Sequence, residues 1–216
     1  MNIFNYDGGI MRAINKFTDC MLLSILFLIC CIPVFTIGTA ASSLYHTAYK
    51  VLRSDRGYIF RDYVESFRDN FKQTVPVWLL TLALGAVLAA DWNIMLQFAR
   101  NENFLSILTA ILIIGMSVVL AWTAYLFPYM ARFENTRRQS MKNAILMVVA
   151  HLPMTIVMLA LMVAAAFLFY MAPPLILFLP AVYAWIQSFI LERIFRRYMT
   201  EEERAREEER EQERGN

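Results

Sequence analysis

The chain has 216 residues, 59% of them hydrophobic and 18% charged, against roughly 45–50% and 25% in average soluble domains. Its net charge is only +2, yet the charges come in clusters separated by long uncharged stretches. This pattern excludes an ordinary soluble fold. It predicts one all-α, polytopic membrane helix bundle over 1–198, with about five transmembrane helices, an amphipathic cytoplasmic helix and a charged C-terminal helix over 199–216.

In chain order, Met1–Thr18 is polar and no small-x-small site closes a short apolar region, so the first apolar segment reads as a retained span rather than a cleaved signal. That span is predicted over 20–40, where Met21–Ile37 is apolar apart from Ser24 and Thr36. Pro33 and Gly38 interrupt it and are read as helix kinks. The preferred reading continues the helix past Gly38 as an interfacial extension. The alternative is a separate short helix over 40–52 that re-enters the same leaflet, and Ser42, Ser43, His46 and Thr47 make such a helix polar for lipid contact. Cys20, Cys30 and Cys31, an odd count in one apolar segment, offer neither a disulfide framework nor a metal site and read as small packing residues.

Ser54-Asp55-Arg56-Gly57 is a turn signal. After it, Phe60, Tyr63, Val64, Phe67 and Phe71 recur at spacings of three and four with charges between them, an amphipathic surface helix over Tyr58–Gln73. The charge-free gap from Lys72 to Asp91 gives a second span over 75–98, and the gap from Glu102 to Arg132 a third over 104–130. Between Lys142 and Glu192 there is no Asp, Glu, Lys or Arg, and Ala172-Pro173-Pro174 lies near the middle. Two spans joined by a tight hairpin, 142–171 and 174–191, account for that stretch. Within the first of them Pro153 follows His151 closely. Proline lacks an N–H and frees the carbonyl of Val149, so a kink is expected there, with His151 capping nearby carbonyls or pairing with Asn143. Trp78, Trp92, Trp122 and Trp185 read as headgroup-level anchors.

With five spans, one side carries the first loop, the third loop and the start of the tail, holding thirteen Lys and Arg; the other side has Arg12, Lys16 and Arg100. The positive-inside rule makes the rich side cytoplasmic, which puts the chain in the cell membrane with its N-terminus outside and its C-terminus inside. The tail over 199–216 holds eight Glu and four Arg, reads as a solvated helix and speaks against nucleic-acid binding.

Catalytic patterns are absent: no GxSxG elbow, P-loop, HExxH or glycine-rich dinucleotide turn. The chain is therefore read as non-enzymatic, with no catalytic, metal-binding or cofactor-binding residues. The spans show neither strings of charge nor an internal repeat of the kind seen in many secondary transporters.

Several local patterns together resemble a known family. Ile32-Pro33-Val34-Phe35-Thr36-Ile37-Gly38-Thr39-Ala40-Ala41 is similar to the P-x-x-T-x-G-x-A segment of the YesL family, and Phe67-Arg68-Asp69-Asn70-Phe71-Lys72-Gln73 to its F-x-x-N-F-K-Q stretch. Ala131-Arg132-Phe133-Glu134-Asn135-Thr136, then Lys142-Asn143-Ala144 and His151-Leu152-Pro153, resemble its third loop and the start of its fourth span. The resemblance spans residues 1–198. It implies an integral membrane protein of Gram-positive bacteria, of a family whose biochemical role is not established and whose genes often neighbour those of carbohydrate ABC transporters and two-component sensors. By that association, the expected function is an accessory role in carbohydrate uptake or its sensing, with membrane lipid and ABC-transporter permease subunits or a membrane sensor as partners. The alternative is a small-solute transporter or channel in its own right, with a cavity lined by His151, Asn143 and Thr36. The candidate contact residues are Asn70 in the surface helix, Arg132, Phe133, Asn135 and Thr136 at a helix mouth, and Asn143 and His151. Asn135-Thr136 equally suits a helix cap.

Overall fold

A computed structural model describes residues 9–54, 57–98, 102–133 and 135–199, and all the regular structure among them is helical. The elements are α1 (Gly9–Cys31), a 3-10 turn (Val34–Thr36), α2 (Ile37–Thr47), a π-helical turn (Ala48–Arg53), α3 (Ile59–Phe98), α4 (Glu102–Arg132), α5 (Arg137–Ala150), α6 (Leu152–Met171), a second 3-10 turn (Pro173–Leu177) and α7 (Leu179–Phe195). Among the described residues, four helices are long and apolar enough to cross a membrane: those containing Ile14–Cys31, Ile59–Met95, Ile107–Arg132 and Leu152–Met171. The chain is an all-α membrane helix bundle. α7, which covers most of the fifth expected span, is a 17-residue helix, at the lower limit of the length for a straight crossing, about 17–25 residues.

Proline decides where the predicted spans break. The first is not a kinked helix over 20–40: α1 stops at Cys31, the chain turns through Ile32 and Pro33, and α2 begins afresh at Ile37. Pro33 cannot donate to the carbonyl of Ile29, which accepts the Ile32 N–H instead, at 3.2 Å. The stretch after Gly38 is thus a separate helix. Its polar side chains do not meet lipid, because α2 packs against α1, α3, α4 and α7. Ser42, Ser43 and Thr47 are buried. Ser43 Oγ donates to the Thr39 carbonyl (2.9 Å), and the Thr39 and Thr74 hydroxyls share a hydrogen bond of 2.6 Å.

Gly38 is a close-approach residue, not a kink. A Cβ there would lie 2.6 Å from Trp78 Cβ and 2.8 Å from Phe127 Cε1, so the missing side chain is what lets α2 seat on α3 and α4. α2 and the first half of α3 run antiparallel, since Lys50 pairs with Asp62 while Thr39 meets Thr74. Gly57 precedes α3 with φ of 83°, and a Cβ there would fall 2.1 Å from Asp62 Oδ2, the carboxylate oxygen that accepts the Tyr58 N–H at 2.7 Å.

The expected surface helix and second span form one 40-residue helix with Pro76 inside it, roughly twice the length a bilayer crossing requires. The amphipathic stripe divides between two faces: Tyr63 is buried and Phe67 and Phe71 half-buried, whereas Phe60 is 63% and Val64 47% exposed. The predicted span over 142–171 is likewise two helices. α5 ends at Ala150, His151 leaves helical geometry (φ −123°, ψ 46°), and Pro153 falls in the first turn of α6, where its missing N–H breaks no intrahelical bond. The predicted tail helix lies outside the described residues.

Candidate functional site

Five of the candidate residues converge where α4 ends and α5 begins. Phe133 is buried, stacked on Tyr129 (ring centroids 4.6 Å) and edge-on to Phe195 (5.6 Å). Asn135 and Asn143 each donate a side-chain N–H to the Tyr129 hydroxyl, both at 2.8 Å. One phenol thus ties the loop to the second turn of α5. Thr136 is the N-cap residue of α5, in extended geometry, but its role is carried by its carbonyl, which accepts the Ser140 N–H, and not by its hydroxyl. Gln73 Nε2 donates to the Asn135 carbonyl at 2.6 Å and fastens the loop to α3.

Arg132 opens the second half of the site. Its Nε lies 3.4 Å from Glu192 Oε1 on α7, and its guanidinium sits over the Tyr49 ring, 4.9 Å from the centroid. Glu192 is 1% exposed. Its Oε1 also accepts the Tyr45 hydroxyl at 3.2 Å. Arg53, on the π-helical turn, donates to the Ser188 carbonyl at 2.6 Å and covers the Phe189 ring at 4.7 Å. α2 and its π-helical turn are therefore held to α4 and α7 by charge-assisted and cation–π contacts.

The carboxylate lies at the end of α7, beyond the last uncharged stretch, and burial pushes its pKa up while Arg132 and the Tyr45 hydrogen bond oppose that shift. Burial and the nearby Glu192 charge push the Tyr45 phenol up. His46, on the same helix, is pushed down by burial and by Lys50, against a hydrogen bond to the Ala131 backbone. A buried ion pair of this kind adds little net stability, yet removing one partner leaves the other charge stranded.

The remaining candidates stand apart. Asn70 donates to Ser66 O and Oγ, one turn back on α3, and its own carbonyl accepts the Thr74 hydroxyl. His151 packs edge-on against Tyr198 (5.8 Å), and its expected pairing with Asn143 does not form, because Asn143 is committed to Tyr129. Thr155 Oγ1, 3.0 and 3.1 Å from the Val148 and His151 carbonyls, supplies the polar contact at that break. Thr36 Oγ1 lies 2.6 Å from both the Cys30 and Pro33 carbonyls. Thr36, Asn143 and His151 thus serve three different local structures. Among the described residues no three His, Cys, Asp or Glu side chains gather as a metal site.

Two contacts escaped sequence reasoning although half of each was readable. Pro76 and Pro128, inside α3 and α4, must free the carbonyls of Lys72 and Ala124. The donors come from distant elements: Arg137 to Lys72 O (2.8 Å) and Gln187 to Ala124 O (2.8 Å). Two of the tryptophans expected as headgroup-level anchors also make contacts inside the bundle. Trp78 donates its indole N–H to Val34 O (2.7 Å) and Trp122 to Met141 O (3.3 Å), so both join helices within the bundle.

A family model described as "Protein of unknown function, DUF624" matches residues 20–92. That stretch contains α2, the π-helical turn and most of α3, and with them Tyr45, Tyr49, Arg53 and Asn70. Neither the curated proteins nor the solved structures give a match.

Proposed function

We propose that this protein is a YesL-type, non-enzymatic accessory of carbohydrate uptake in the cell membrane. Its positively charged side would be cytoplasmic, and the first half of α3 with the Arg132–Thr136 loop would form the contact surface for a permease. The DUF624 match supports this reading because it covers two of the four YesL-like motifs, those at Ile32–Ala41 and Phe67–Gln73. The observation that carries it is the outward face of α3. Phe60 and Val64 turn away from the bundle while Tyr63 and Phe67 anchor the opposite face, and Arg61, Glu65, Arg68 and Asp69 frame the apolar pair. A helix that lies on anionic lipid carries an excess of Lys and Arg on its polar face; this one is balanced, which favours a protein partner.

The transporter alternative is less well supported. A transported sugar needs hydrogen-bond partners along its path, and the largely apolar cleft between the helices is lined by none of His151, Asn143 and Thr36. The test is co-purification in mild detergent from cells growing on sugars. A permease subunit is expected to accompany the wild-type chain and to be lost from Phe60→Ser/Val64→Ser. Recovery of the same proteins with both chains, or of no permease at all, overturns the proposal.

A further inference from the structure

An open groove of about 640 Å³ lies where α3 passes the start of α5. Lys72 lines it from α3, and Arg137 and Arg138 line it from the first turn of α5. All three cations are exposed. Arg137 is held at the rim by its bond to the Lys72 carbonyl. Asp69 also lines the groove. The ion pairs formed among the described residues, Lys50 with Asp62 and Arg132 with Glu192, involve neither Asp69 nor the three cations. α5 adds to the positive field: its first turn holds no acid and the Thr136 side chain does not cap it. That turn therefore presents uncapped N–H groups and the positive end of the helix dipole.

The chain carries a counter-charge on the same side of the bundle. Phe195, at the end of α7, packs edge-on to Phe133 at 5.6 Å, and the Met199 N–H donates to the Phe195 carbonyl. Met199 also packs against the buried cluster that contains Phe133 and Met147. Tyr198, against the His151 ring, stands toward the far end of α5. α5 has 14 residues and is therefore about 21 Å long. Residues 200–207 can span roughly 26 Å when extended, enough to bring Glu207 back to the groove. From there Glu207-Glu208-Glu209-Arg210-Glu211-Gln212-Glu213 carries five Glu and one Arg. An anionic leaflet repels such a run, which leaves basic protein surface as its counterpart.

We propose that the acidic run over 207–213 docks in the groove formed by Lys72, Arg137 and Arg138. Each exposed ion pair is weak in isolation. The tether, however, holds the run at an effective concentration on the order of millimolar, and several pairs form at once. A second copy of the chain would bring the same run without that tether. A lipid headgroup brings one phosphate, against five carboxylates on the tail. The docking stands whether or not the same face also meets a permease.

The test uses the full chain in nanodiscs containing phosphatidylglycerol, so that anionic headgroups compete for the groove. A carbodiimide couples lysine amines to carboxylates in direct contact, and mass spectrometry identifies the coupled pair. A link from Lys72 to a glutamate of the 207–213 run is expected within one chain. Mixing isotope-labelled with unlabelled chains separates it from a link between copies. Arg138→Gln leaves both Lys72 and the tail intact and is expected to lower the yield about two- to fivefold, as the loss of one exposed pair implies. High salt should lower it in the wild type as well. Trypsin gives a second reading: cleavage after Arg210 should be faster in Arg138→Gln by a similar factor. Coupling of Lys72 to Glu65 or Asp69 alone, links found only between copies, or tail cleavage equal in both chains overturns the proposal.

Discussion

The two ends of the long α3 and α4 helices are built from similar apolar residues but solve different problems. Toward Arg132, Tyr125, Leu126, Tyr129 and Phe133 are buried, and α2, α5 and α7 close over them with an ion pair and shared hydrogen bonds. Toward the α3–α4 connection, Leu79, Leu84, Val87, Ile111, Ile114 and Val118 remain exposed. The far arm needs no protein cover because lipid is as apolar as leucine, so its helices need only satisfy their own backbones. The near end contains charges and phenols that lipid cannot solvate, and protein must cover them.

Substitutions can break this contrast. The largest expected effect is at the near end: Arg132→Leu strands the buried Glu192 carboxylate and should cost about 3–5 kcal/mol, read as a fall in the thermal unfolding midpoint in detergent. An unchanged midpoint would mean that the pair holds nothing together. Next comes the far arm. Val118→Lys places a cation in lipid and should cost about 2.5–3.5 kcal/mol of insertion, whereas Val118→Ala should cost under about 1 kcal/mol because lipid fills the space. A glycosylation-reporter insertion assay measures both, and a large alanine effect would reveal a protein partner on that face.

A glycine pair sharpens the same comparison. Gly38→Ala drives a methyl into Trp78 and Phe127 and should cost about 1–3 kcal/mol. Gly85, around which a Cβ would meet nothing within 4 Å, should accept alanine without loss and gain up to about 1 kcal/mol from helix propensity. Denaturant titration followed by tryptophan fluorescence distinguishes the two, and equal effects would deny the close approach of α2.

The smallest expected effect is pH-dependent. His46 is held below the ordinary histidine value of 6.5. Its contribution to stability is therefore complete above that value and is lost as the pH falls below it. Glu192, held above the ordinary carboxyl value, behaves oppositely: its contribution is complete at low pH and declines as the pH rises through its elevated pKa. Acidification from about pH 7.5 to 5.5 should thus lower the unfolding midpoint through His46, and His46→Gln should flatten that slope. An identical slope in the variant removes His46 as its source.

How much of this was legible in the sequence varies residue by residue. Arg132, Phe133, Asn135, Thr136 and Asn143 stood out from the family-like third loop, and the structure brings all five to one region. Their partners Tyr129, Tyr45, Tyr49 and Arg53 did not stand out, because an aromatic or basic residue near the end of an apolar stretch reads as an interface anchor until a second helix lies against it. Asn70 and His151 looked equally suggestive, yet each is committed to its own helix or to one ring. Glu192 was visible as the acid that closes the last uncharged stretch, but its burial was not.

By itself the sequence determined the solvent and the helical class, because both follow from local composition and backbone chemistry, whereas the expected release of the Val149 carbonyl by Pro153 failed because Pro153 falls in the first turn of α6. Only the tertiary structure decided that α2 is a buried helix rather than an extension of α1, and that Arg137 and Gln187 answer the carbonyls freed by Pro76 and Pro128. These depend on contacts such as Thr39–Thr74, Arg137–Lys72 and Gln187–Ala124, between residues 35 to 65 positions apart, and no local pattern of apolar spacing encodes which distant side chain arrives.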